Sequence, residues 1–217
     1  QMFSFFKRFL KDADLLDDNG FTRFAEIISD IGLDENLSWA LMLANLAYNP
    51  QIGWYICNIS FGETMSKEYV CSMLVDSGAD EKWVNDVWSS LARILDLPFS
   101  HVGLGEMVKE KNKAVALYRT GWQVPDERVI LYSLYQFSEK CGNFKQFTLT
   151  RLLDTSIESD GISPTQIFGL NRDTMEKVLN GLTFNYPDLI EARFTLGLDN
   201  ITLKSNKSAE EILNELF

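Results

Sequence analysis

The sequence predicts a mainly α-helical fold with small β-hairpins, and three observations carry that prediction. Apolar residues recur at helical spacing through most of the 217 residues. Capping residues and Gly or Pro breakers cut these stretches into helices of ordinary length. Two regions, Leu104–Arg119 and Glu191–Lys204, abandon the helical period for short alternating runs around a turn. Hydrophobic residues at 46% and charged residues at 24% are the balance of a chain that buries a core. The length suits one large domain or two small ones, with the expected division at 1–125 and 126–217.

Taken in order, Phe3, Phe5, Phe6, Phe9 and Leu10 are interrupted by Lys7, Arg8 and Lys11, an amphipathic helix rather than a signal peptide. Asp12 to Gly20 is an acidic turn. Thr22 can cap a helix through Ile31, with Phe24, Ile27 and Ile28 on one face and Gly32 as its stop. Asn36 or Ser38 starts the next helix, apolar almost all round and therefore central to a core. Asn49-Pro50 stops it, and residues 53–59 read as a short strand or as continued helix.

A second unit begins at Ser66, an N-cap for Lys67 to Asp76. Ser77-Gly78 turns the chain, and Asp80 caps a long helix through about Leu95, ended by Pro98. The hairpin follows, its charged tip around Asn112. Asp126 opens a helix closed by Gly142, and a shorter helix runs from Lys145 to Asp154. Ser163-Pro164 begins a helix to Leu170, Asp173 one to about Leu182, and the hairpin 191–204 comes next. Ser208 caps a last helix to Phe217. Helix, turn, helix and hairpin thus occur at about 66–119 and at 163–204, with a weaker version at 22–59. That order is a winged-helix-like pattern, so winged-helix-like units joined by helices are expected.

Composition narrows the chemistry. Twenty Lys and Arg against 31 Asp and Glu give a net charge of −11, which argues against a surface that coats nucleic acid or membrane as a whole. No run of 18 uncharged apolar residues is present. Cys57, Cys71 and Cys141 lack disulfide or zinc spacing and read as small buried hydrophobes in a reducing, cytoplasmic setting. The only histidine, His101 beside Ser100, gives neither a nucleophile triad nor a zinc ligand pair. The acidic runs 12–20 and 154–161 miss essential positions of a calcium loop. Gly103-Leu104-Gly105 lacks the later glycine of a phosphate loop. No catalytic residue, metal ligand or cofactor is assigned.

Two interaction surfaces stand out. Lys109, Lys111, Lys113 and Arg119 make the hairpin 107–119 locally basic, suited to nucleic acid or an acidic partner. The preceding helix, with Asp80, Glu81, Asp86 and Asp96 on or near it, is expected to repel phosphate. Phe3, Phe5, Phe6 and Phe9 are the expected docking surface for a protein partner.

Residues 163–170, 173–182, Asn185-Tyr186-Pro187 and 199–203 resemble C-terminal regions of large bacterial phosphoadenosine phosphosulfate reductase-family proteins. The segment from Trp39 through Trp54 to Phe99 is similar as well. The family's Ser-Gly-Gly-x-Asp-Ser nucleotide loop and C-terminal cysteine are missing here, so the resemblance implies an accessory domain with the nucleotide chemistry elsewhere in a parent protein. A first residue of Gln fits a piece of a longer protein. The expectation is a non-catalytic accessory domain docking protein partners, with nucleic acid as a further partner. The alternative is a stand-alone winged-helix DNA- or RNA-binding module using the hairpin.

Overall fold

The computed structural model describes residues 2–96, 98–156, 159–195 and 198–217, apart from the side chains of 2–5 and 198. Helix α1 (Met2–Asp12) gives way to a turn in which Asp14 is left-handed, at φ 61°. The turn closes through a bridge between Leu16 and Phe21. Thr22 caps α2 (Arg23–Ile31) by accepting from the Ala25 N–H, and Gly32 ends it. In α3 (Asn36–Leu46), residues 40–44 are at most 1% exposed, as an all-round apolar helix requires. Helix α4 (Pro50–Asn58) covers the run that the sequence left open between strand and helix. Asn49 satisfies two of its first N–H groups and Pro50 presets its first turn, so the helix is under way before the β-favouring residues arrive.

Two units then repeat one order of elements. The first continues from α4 with β1 (Thr64–Ser66), α5 (Lys67–Asp76), a 3-10 turn at Glu81–Trp83 and α6 (Val84–Ile94). A second 3-10 turn at Phe99–Val102 leads to β2 (Glu106–Glu110) and β3 (Lys113–Tyr118). The second unit runs α7 (Glu127–Lys140), β4 (Gln146–Thr148), α8 (Leu149–Leu153), α9 (Pro164–Phe168) and α10 (Arg172–Asn185), then β5 (Ile190–Thr195) and β6 (Leu198–Leu203). Helix α11 (Ala209–Leu216) packs back on α7. Both sheets are antiparallel, ordered β1-β3-β2 and β4-β6-β5, so in each the isolated strand pairs with the last strand of the hairpin.

Both hairpins stand where the alternation predicts them. The isolated strands do not: Ser66 reads as a cap alone, and 145–154 as one helix, because three residues are too few to show a period of two. The second unit accordingly starts at α7 and not at Ser163. Residues 22–59 contain no hairpin and are helical in α2, α3 and α4. Asp80 caps only the 3-10 turn, through the Lys82 N–H, and α6 begins at Val84. The expected burial of the cysteines fails: Cys57 is exposed, and Cys71 and Cys141 are half-buried. An apolar sequence neighbour such as Ile56 lies about 100° around the helix from Cys57, so it says little about which way the sulfur points.

The seam between the units is organised by Arg119, which is 2% exposed. Its Nη1 donates to the carbonyls of Ile56 and Ile59 at the end of α4, both at 2.7 Å. Its Nη2 donates to the carbonyls of Gln166 and Ile167 at the end of α9. Helix ends leave their last carbonyls without partners, and here one guanidinium serves two such ends. The neighbouring carbonyl, Phe168 O, accepts from the Trp122 N–H at 2.8 Å, and the Trp122 and Phe168 rings meet at 5.3 Å. Gly103, at φ +89°, permits this approach: a Cβ there would lie 2.5 Å from Trp122 N and collide with Phe168 O. Away from the seam, Asn45 on α3 accepts from Tyr132 and Gln136 on α7, at 2.7 Å each, and donates to Ala13 O.

Replacing Arg119 with Met keeps the apolar stem but leaves four buried carbonyls without a donor. The expected loss in urea-unfolding free energy is at least about 3 kcal/mol, and Arg119→Lys, which cannot fork to both helix ends, recovers less than half of it.

Asp14 yields a pH-dependent prediction. Asp14 is exposed on its turn, but partial desolvation, with Glu210 and Asp17 nearby, raises its carboxyl above the usual carboxylate value. A raised acid pKa means the native state holds the proton more tightly than the unfolded chain. Its stabilising contribution is therefore full at low pH and lost as pH rises through the folded pKa. Asp14→Asn removes the charge and suits the left-handed backbone. It should stabilise the protein at pH 7 by a few tenths of a kcal/mol, with the gap over wild type closing below about pH 4 in urea titrations.

Candidate functional site

Helix α6 is the centre of the site. Val84, Trp88, Leu91 and the following Leu95 are buried, which fixes the helix's rotation on α5 and the sheet. The opposite strip, Asn85, Ser89 and Arg93, is exposed and spaced four residues apart. Two openings flank the helix.

On one flank an apolar cleft of about 630 Å³ lies between α4 and α6. Ile52, Trp54, Leu74, Val87 and Ile94 line it, with Asp86 the only charged residue in its walls among the described residues. Trp83 stands at the cleft, 56% exposed, with the Lys82 ammonium 5.5 Å from its ring centroid. Lys82 also pairs with Asp80 at 2.9 Å.

The other flank is a groove of about 620 Å³ between the start of α5, α6 and β3. Lys67, Arg93 and Lys113 contribute cations to it, and Glu68 contributes a carboxylate. None of the three cations has a carboxylate within ion-pair distance among the described residues, whereas Lys109 pairs with Asp96 at 2.9 Å. In the second unit, Arg172 is neutralised by Asp199 and Glu176 at 2.9 and 3.2 Å.

The hairpin separates its predicted residues. Lys111 and Asn112, at φ 47° and 66°, form the two-residue turn, so Lys111 sits exposed at the tip. Lys113 enters the groove, and Lys109 is held by Asp96. Arg119 is a correction: the only arginine of the predicted set is buried in the seam and presents nothing to a partner. The expected repulsion by the helix before the hairpin is also altered. Asp80 and Asp96 are paired with lysines, Glu81 lies in the 3-10 turn before α6, and Asp86 faces the apolar cleft. The strip beside the groove carries no carboxylate.

At the N-terminus, Phe6 is 58% exposed and Phe9 packs against the core, so these two do not form one docking face. Phe3 and Phe5 lie outside the described side chains. His101 is exposed in the 3-10 turn 99–102. Among the described residues no group of three or more His, Cys, Asp or Glu is placed to hold a metal, and no helix is long and apolar enough to cross a membrane.

Sequence reading missed Lys67, Arg93, Trp83, Asn85 and Ser89. The four-residue spacing of Asn85, Ser89 and Arg93, opposite Val84, Trp88 and Leu91, is a signal that was present. Lys67 carried none, because only the pairing of β1 with β3 brings the start of α5 beside the hairpin. Comparisons with protein-family models, curated proteins and solved structures found no match to this chain.

Proposed function

We propose that this chain is a non-catalytic interaction module of two winged-helix-like units, accessory to a larger phosphoadenosine phosphosulfate reductase-like protein. In this reading it docks a protein partner through the cleft between α4 and α6. The winged-helix-like reading is supported by the twice-repeated order of helix, strand, helices and hairpin, with the isolated strand beside the hairpin's last strand. The docking reading rests on one observation: an exposed tryptophan on an apolar cleft, Trp83 with Ile52, Trp54, Val87 and Ile94. The occupant that fits is an amphipathic helix with a cationic flank. Its apolar face fills the cleft, Asp86 meets its charge, and Trp83 already receives one cation, from Lys82. The parent assignment rests on the sequence resemblance. It calls for a Ser-Gly-Gly-x-Asp-Ser type loop elsewhere in the same polypeptide, and its absence there removes the assignment.

Docking is tested by tryptophan fluorescence during titration with two helical Leu-rich peptides, one flanked by Lys and one by Glu. The Lys-flanked peptide should bind at least about tenfold more tightly, Asp86→Asn should abolish that difference, and Trp83→Ala with Val87→Asn should weaken both peptides at least about tenfold, each factor of ten corresponding to about 1.4 kcal/mol. Equal binding of the two peptides, or unchanged binding by the double variant, overturns the proposal.

A further inference from the structure

The groove on the opposite flank of α6 is independent of the cleft. We infer that it is a binding site for the phosphodiester backbone of duplex DNA, formed by Lys67, Arg93 and Lys113, with Lys111 at the adjoining hairpin tip.

The first support is charge that is not consumed internally. In a chain of net charge −11, three groove cations face one carboxylate, Glu68, and none is within ion-pair distance of a carboxylate among the described residues. Elsewhere on the hairpin Lys109 is neutralised, and in the second unit Arg172 is neutralised twice. Glu110 is the cross-strand partner of Lys113 but makes no ion pair with it among the described residues, and Glu106 lies at the far end of the hairpin. The groove therefore brings three cations against a single carboxylate, on a molecule whose net charge is −11.

The second support is placement against the expected energetic cost. Lys67 occupies the first turn of the ten-residue α5, where the positive end of the helix dipole disfavours a cation. Lys111 takes a left-handed turn position at φ 47°, which Gly or Asn would adopt more cheaply. Both departures add positive charge at the groove or the adjoining tip, where the amides at the start of α5 also favour an anion.

The third is shape. Asn85, Ser89 and Arg93 form an exposed strip along α6 whose one charged member is Arg93, with the helix's single carboxylate, Asp86, beside it on the cleft side, and the hairpin adjoins the groove through Lys113. A helix of that kind fits the major groove of B-form DNA, about 12 Å wide, while lysines of the hairpin meet the adjoining backbone. The deep, narrow major groove of A-form RNA does not admit it. DNA is thus the duplex that the geometry selects.

The test is fluorescence anisotropy of the full chain with a labelled duplex of about 20 base pairs, at a series of salt concentrations. Wild type should bind with a log–log salt slope of about −3, the value expected for three to four phosphate contacts. Lys67→Glu with Arg93→Glu and Lys113→Glu should weaken binding at least tenfold, and the corresponding triple Ala variant, checked by circular dichroism, should show the same direction with a shallower slope. Lys177→Glu on α10 should bind as wild type. The inference is overturned if wild type binds no better than the triple variants, or if Lys177→Glu loses as much. Equal affinity for an RNA duplex or for polyglutamate overturns it too. Trp83→Ala should leave DNA binding unchanged, which separates this outcome from the fate of the cleft.

Discussion

A single guanidinium, that of Arg119, holds the ends of two helices from different units. It has no carboxylate partner among the described residues and is held by four backbone carbonyls, with Nε left without an acceptor. Desolvation alone would make a buried cation costly, and it lowers the pKa of this group. Carbonyls at helix C-termini offset that cost, because they carry partial negative charge and would otherwise lack partners. The Arg119 guanidinium also lies 5.5 Å from the Tyr55 ring, and the Tyr55 hydroxyl donates to Leu104 O at 2.8 Å. Strand β3, which ends one residue before this arginine, is the central strand of the first sheet, so the chain runs from the hairpin directly into the seam.

This arrangement orders the functional surfaces. With β3 and α4 anchored at the seam, α5 and α6 pack between them, and α6 is left with one apolar flank toward α4 and one cationic flank toward β3. The net charge of −11 describes the whole molecule and conceals this division. Asp80 and Asp96 are paired with lysines and Asp86 lines the cleft, while Lys67, Arg93 and Lys113 meet on the other side with Glu68 as the groove's one carboxylate.

Much of the helical fold was legible. Capping at Thr22, Ser66, Asp126, Ser163 and Ser208 agrees with the observed starts, since a side-chain oxygen satisfying the first N–H groups is a local event. Both hairpins were legible for the same reason. The strands β1 and β4 were not, because each exists only through pairing with a strand more than 40 residues further along the chain. The site was half legible: Lys111 and Lys113 stand out as a basic tip, while Lys67 and Arg93 join them only through packing. Arg119 shows the opposite error. Sequence proximity to three lysines suggested a shared surface, but the end of β3 runs into the seam.

By itself the sequence determined the helical class, five of the helix starts, the two hairpins and the acidic overall balance, all consequences of short-range hydrogen bonding and residue composition. Tertiary structure alone decided which charges remain free. An arginine's role depends on what lies around it, and carbonyls nearly 50 residues further along the chain from Arg119 took it out of the surface. Sheet pairing likewise brought Lys67 to the groove. Such long-range neighbours are set by how the apolar faces close on one another, and no local pattern records them.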